Sequence, residues 1–172
     1  MGTPEFAVST LDAIYKKGYT VSTVVTVPDK ASGRGLKINE SAVKKYATEH
    51  KLPLLQPVSL KDPEFIQQLK DIDADILKAG HHGSSSSSTY DFLRAVTPDV
   101  ILISCGADND YGHPHIEPLE NFAKFTTADK IFRTDIDGDV VVTTDGTEYS
   151  VAVRNAPHDA SKILISGNGV KV

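Results

Sequence analysis

The strongest constraint on the fold is an alternation of two periodicities. Short runs rich in Val, Ile and Leu, at residues 21–27, 52–55, 74–79, 100–104 and 131–133, are separated by segments whose apolar residues recur at helical spacing. Parallel strands need a crossover connection, usually a helix, so strand and helix patterns taken in turn predict βαβ units. The run Val-Ile-Leu-Ile-Ser at 100–104 is apolar without alternation, which suits a strand covered on both faces. The expected class is α/β: a three-layer sandwich with a Rossmann-like, mostly parallel sheet and a C-terminal antiparallel hairpin.

Local punctuation agrees with this reading. Thr3-Pro4-Glu5 supplies an N-cap, a first-turn proline and an acid at the positive end of a helix that Gly18 stops. Pro28 closes the strand before it, and Asp62-Pro63-Glu64 opens another helix. Pro98 separates a helix over 89–96 from the strand at 100–104. Asp145-Gly146 is a hairpin turn, so 140–144 and 148–153 should pair antiparallel. Residues 29–39 read as a loop, and the five serines at 84–88 as a loop and helix cap, since serines beside glycine do this far more often than they act as nucleophiles.

One slot is left open. A sheet of this kind normally starts with a strand, whereas Met-Gly-Thr-Pro-Glu at 1–5 has the composition of the loop that follows one. Residues 162–167, Lys-Ile-Leu-Ile-Ser-Gly, have the composition of the missing strand and are expected to fill its place. Strands left without partners would favour a homodimer paired through them. At 172 residues the chain is read as a single domain.

A net charge of -5 and a pI near 5.6 argue against a surface that binds polyanions over its whole extent, so nucleic acid needs local evidence. The one cysteine, Cys105, sits in an apolar run and cannot form an intrachain disulfide, which fits a buried inert thiol in a reducing compartment. No apolar run approaches membrane-spanning length. A soluble, cytoplasmic protein with no membrane partner is the expectation.

Residues 1 to about 77 carry several ordered motifs: Met-Gly-Thr-Pro-Glu-Phe-Ala-Val at 1–8, Val27-Pro28-Asp29-Lys30 with Gly33-Arg34-Gly35, Leu54-Leu55-Gln56-Pro57, and Asp62-Pro63-Glu64-Phe65. In these the chain resembles the N-terminal part of methionyl-tRNA formyltransferase. The resemblance implies a Rossmann-like domain that moves a formyl group from 10-formyltetrahydrofolate to methionyl-tRNA, with a loop at 29–39 that reaches toward the tRNA acceptor end. Lys30, Arg34 and Lys37 would then be the phosphate-contacting residues. Downstream, no Asn-x-His followed by Ser-Leu-Leu-Pro is found, so the family's catalytic Asn, His and Asp are not matched.

From about 75 to about 153 the motifs change. Asp75-Ile-Leu-Lys-Ala-Gly-His-His-Gly-Ser, Phe92-Leu93, Pro98-Asp99, Ile103-Ser104, Tyr111-Gly112-His113-Pro114-His115, Arg133-Thr134-Asp135 and Asp137-Gly138 resemble the closing part of the metallo-β-lactamase-like domain of DNA-uptake competence proteins. That resemblance implies a dinuclear metal site that activates water, with His81 or His82 as the last ligand-bearing position. The family's early His-x-His-x-Asp-His is absent before His81, where His50 is the sole histidine. The junction falls near 73–78, in a strand that either parent could supply.

His81, His82, His113 and His115 lie on loops after strands, which converge on one edge of a parallel sheet, and Asp108, Asp110 and Asp135 could add oxygen ligands. No tightly held cofactor is expected, and zinc, manganese or nickel only as a weakly bound ion. The leading expectation is a recombined or engineered chimera that folds without a complete active site. The alternatives are a degenerate metal-dependent hydrolase using the two histidine loops, and weak RNA binding through 29–39.

Overall fold

Glu5 opens α1 (Glu5–Lys16), and Ala7 and Leu11, one helical turn apart, are the two residues it buries. They close on β1 (Val24–Val25), reached through a turn in which Gly18 takes φ +80 and its N–H bonds the Tyr15 carbonyl at 2.9 Å. The computed structural model describes residues 5–32, 37–70, 72, 74–154 and 163–167. Contacts divide the chain into two units, Met1–Phe65 and Ile66–Val172.

In the first unit, β2 (Lys30–Ser32) and β3 (Lys37–Asn39) pair antiparallel, Lys30 opposite Asn39 and Ser32 opposite Lys37. Within 29–39, expected as a loop, residues 30–32 and 37–39 therefore form a two-stranded ribbon. α2 (Ala42–Glu49) is capped by Ser41, whose hydroxyl accepts the Lys44 N–H at 3.0 Å, and it buries Val43 and Ala47. β4 (Leu54–Leu55) runs parallel to β1. Ala7, Leu11, Val24, Val43 and Ala47 form the core of this unit. Tyr46 also ties α2 to α1 by donating to Asp12 at 2.9 Å.

α3 (Pro63–Gln68) crosses the boundary between the units, with Asp62 accepting the Glu64 N–H at 2.9 Å. The second unit then lays down β5 (Ile76–Lys78), α4 (Tyr90–Val96), β6 (Val100–Ile103), α5 (Ile116–Phe122), β7 (Ile131–Arg133) and the single turn α6 (Thr134–Asp137). Strands β5, β6 and β7 pair parallel with β6 in the centre. Central position explains the unbroken apolar run of β6: Ile101 and Ile103 face Ala79, Leu93 and Phe122 on one side, while Val100 faces Ile76 and Phe132 on the other.

The antiparallel strands cover that second face. β8 (Asp139–Thr144) and β9 (Glu148–Arg154) form the expected hairpin through Asp145-Gly146, where Gly146 takes φ +94 and Asp145 accepts the Thr147 and Glu148 N–H groups at 2.8 Å. Alternation along β9 turns Tyr149, Val151 and Val153 inward onto Ile76, Val100 and Phe132. The hairpin is thus a layer of the second unit: α4 and α5 lie on one face of the parallel sheet and the hairpin on the other.

The α/β class stands, with the parallel strands in two separate sheets, β1–β4 and β5–β6–β7. One expectation is corrected. β10 (Ile163–Gly167) does not enter a parallel sheet as the missing first strand; it pairs antiparallel with β9, Leu164 opposite Val151 and Gly167 opposite Glu148. The reason is proximity along the chain. β9 has β8 on one edge only, and antiparallel addition to its other edge needs a far shorter connection than a parallel crossover. Thr3 and Pro4, expected to cap α1, and Lys162 lie outside the described residues.

Candidate functional site, a histidine cluster at the carboxyl ends of the parallel strands

β5 ends at Lys78 and the chain turns sharply. His81 (φ 48, ψ 41), His82 (φ 57, ψ 24) and Gly83 (φ 79) are three successive left-handed residues. The conformation costs a non-glycine residue roughly 1–2 kcal/mol, so the surroundings must hold it. They do so through the loop that follows β6. Gly83 accepts the His115 N–H at 2.9 Å, and a Cβ built on Gly83 would meet the Pro114 Cβ at 2.7 Å, so only glycine admits this approach.

The post-β6 loop is braced by Asn109. Its amide donates to the Gly106 carbonyl at 2.9 Å and the His113 carbonyl at 2.6 Å, while its oxygen accepts the His113 N–H at 2.9 Å. Nothing in the sequence singled out Asn109 from the polar residues around it, and its role becomes visible only once the loop is closed.

The four expected histidines meet. His113 is the hub: its ring lies 5.4 Å from His81, 6.2 Å from His82 and 4.8 Å from His115, centroid to centroid. Tyr111, which the sequence reading did not place in a site, stacks on His113 at 5.7 Å with 17° between the planes. Burial, then the neighbouring His115, His81 and His82, push the His113 imidazole below its ordinary pKa.

Hydrogen bonds assign the tautomers. His82 Nδ1 lies 2.6 Å from the Ser104 carbonyl, which can only accept, so Nδ1 carries the proton and Nε2 a bare lone pair. His115 Nδ1 accepts the Ser85 N–H at 3.0 Å, so its proton sits on Nε2, which donates to the Tyr111 carbonyl at 3.0 Å. Both ring nitrogens of His115 are therefore committed, and it is a bracket between loops rather than a ligand. His81 Nδ1 is 3.2 Å from Ser86 Oγ, itself 3.1 Å from Ser84 Oγ.

Asp135, after β7, is committed too. Arg133 grips both its oxygens, at 3.1 and 2.6 Å, and Cys105 donates its thiol proton at 3.2 Å. Burial and then Asp135 push the Cys105 thiol above its ordinary pKa, which suits an inert thiol and not a nucleophile. Asp108 and Asp110 are exposed on the Asn109 loop. Among the described residues no three His, Cys, Asp or Glu side chains are arranged to hold a metal ion.

The basic candidates belong to the first unit. Lys30 and Lys37 are on the β2–β3 ribbon, and Arg34 lies outside the described residues. The ribbon's base is clamped. Asp29 is paired with Lys44 Nζ, which also meets Glu40 at 2.7 Å, and Gln56 donates to Asp29 at 3.0 Å and to the Val27 carbonyl at 2.8 Å. The clamp holds the Asp29 carboxyl below its ordinary pKa, through Lys44 and then Gln56, and raises Lys44.

The fold defines an α/β protein with parallel strands and helical crossovers; no family model matches it. Its N-terminal part is similar to methionyl-tRNA formyltransferases. The enzyme of Bacteroides fragilis is 57% identical over 76 residues, covering 44% of this chain and 24% of the relative. That of Ruminiclostridium cellulolyticum is 46% identical over 83 residues, 48% of this chain and 27% of the relative, and that of Burkholderia vietnamiensis 38% identical over 103 residues, 60% and 27%. The chain thus spans about a quarter of the length of the curated relatives it matches. Among the described residues no helix is long and apolar enough to cross a membrane.

Proposed function

We propose that the chain is a composite of two fold fragments, formyltransferase-like to about residue 77 and metallo-β-lactamase-like from about 75 to 153, that folds as an α/β protein without turning over either parent's substrate. The observation that carries this reading is the state of the histidine cluster. His115 has spent both ring nitrogens on backbone groups, Asp135 is held by Arg133 and Cys105, and the remaining imidazoles do not converge as three ligands. An activated water needs a well-oriented metal with supporting hydrogen bonds, and the cluster supplies orientation without the ligand count.

The test is to assay the full chain for formyl transfer from 10-formyltetrahydrofolate to methionyl-tRNA, and for hydrolysis of a simple phosphodiester with added zinc or manganese. Both rates should stay at background in a cooperatively folded protein. Chelator-sensitive hydrolysis that disappears in the His81→Ala, His82→Ala double variant would replace the composite reading by a degenerate metal-dependent hydrolase. The observation favouring that alternative is His82, whose Nδ1 proton on a backbone carbonyl leaves Nε2 available, as metal-binding histidines are commonly held.

A second reading rests on the first unit. The β2–β3 ribbon includes Lys30 and Lys37 and is fixed at its base by Asp29, Lys44 and Gln56, and lysines are the residue type that neutralises an RNA backbone. The names of the relatives make methionyl-tRNA the RNA to try. Binding that falls steeply with salt and weakens in Arg34→Ala would support it; binding unchanged in that variant would remove it.

A further inference from the structure

The rings around His113 form a ladder with an open end. Tyr111 and His82 both lie close to parallel with the His113 ring, at 17° and 27°, and His81 and His115 meet it edge-on, at 64° and 61°. Yet Tyr111 is 78% exposed. A tyrosine so exposed ordinarily samples several rotamers in water, whereas the backbone of this one is held by the His115 imidazole and the loop beneath it is closed by Asn109. Ordering an aromatic platform before a ligand arrives removes part of the entropy cost of stacking on it.

We propose that Tyr111 is a stacking platform for a planar heterocycle of the purine-nucleoside kind, uncharged or cationic, bound at the carboxyl end of the β5–β6–β7 sheet. Ring stacking selects a flat π-system and tolerates its identity. Charge then narrows the class. Asp108, Asp110 and Glu117 flank Tyr111 along the chain, and Arg133 is spent on Asp135. A phosphate brought to this loop meets carboxylates and no free arginine or lysine in the loop itself, so the bare nucleoside should bind at least as well as its phosphate ester. This inference uses the ring geometry and the charges around the loop, and stands or falls separately from the composite reading.

The experiment is an NMR titration of the full chain with adenosine, following the Tyr111 ring protons in the parent and the adenine and His113 ring protons in parent and variants alike, repeated with adenosine 5′-monophosphate. The expected result is a saturable upfield shift at Tyr111, weakened about fivefold or more in Tyr111→Ala and kept within about twofold in Tyr111→Phe, with the monophosphate binding no tighter than adenosine. The substituted side chain is exposed and outside the core, so loss of folding does not confuse the outcome. No shift at Tyr111, equal binding by Tyr111→Ala, or tighter binding of the monophosphate would each overturn the proposal, the last by showing that phosphate and not the ring is what the loop holds.

Discussion

At the scale of single residues, Gly83 decides whether the histidine loops can dock. An alanine there would carry φ +79 and drive its Cβ to 2.7 Å from Pro114. Gly83→Ala should therefore lose about 2–4 kcal/mol of stability, combining left-handed strain with local overpacking. Gly106, whose added Cβ would meet nothing within 4 Å, should tolerate alanine within about 0.5 kcal/mol. Urea midpoints of the two variants measure the contrast, and equal midpoints would mean that Gly83 does not carry the loop contact. Cys105 gives a chemical readout of its neighbourhood. Its thiol is held in the protonated form by burial and by Asp135, so alkylation of the native protein at pH 8 should be several-fold slower than of the unfolded chain, and Asp135→Ala should speed it. The four histidines were legible in the sequence as loop residues after strands. Their roles were not, because the tautomer of His115 is dictated by the Ser85 N–H, contributed from the other loop.

At the scale of elements, patterns set by local chemistry were readable and those set by a partner strand were not. The β8–β9 hairpin follows from Asp145-Gly146 between alternating runs, and β6 from its unbroken apolar stretch. The β2–β3 ribbon escaped because Lys30-Ala-Ser and Lys37-Ile-Asn show no strand-like enrichment in β-branched or aromatic residues. β10 was seen as a strand but given the wrong neighbour, since composition marks a strand without naming its edge. The clamp under the ribbon was also invisible, its members Asp29, Lys44 and Gln56 being brought together only by folding. Lys44→Met should free Asp29 and raise amide exchange across β2 and β3, with Lys44→Arg restoring much of the protection. The pH dependence has a definite sign. The folded pKa of Asp29 lies below the unfolded value near 3.8, so the clamp's contribution is complete above that value and is lost as pH falls through the folded one. Ribbon exchange that fails to respond to Lys44→Met would show that backbone pairing alone fixes it.

At the scale of the whole molecule, each unit owns an apolar centre built from its own residues. Leu11 is enclosed by Ala7, Val24, Val43 and Ala47, all within Met1–Phe65. Phe122 is enclosed by Ala79, Leu93, Ile101 and Ile103, all within Ile66–Val172. Burial of this kind ties cooperativity to the unit, because removing a side chain opens a cavity among its immediate neighbours. Leu11→Ala should cost about 2–5 kcal/mol and Phe122→Ala about 3–5 kcal/mol. Native-state hydrogen exchange tells where those losses are felt. If the units open separately, Leu11→Ala speeds exchange in α1 and α2 while the amides of β6 keep their parent rates, and Phe122→Ala does the converse. Faster exchange in both units from either substitution would instead make the chain one cooperative body.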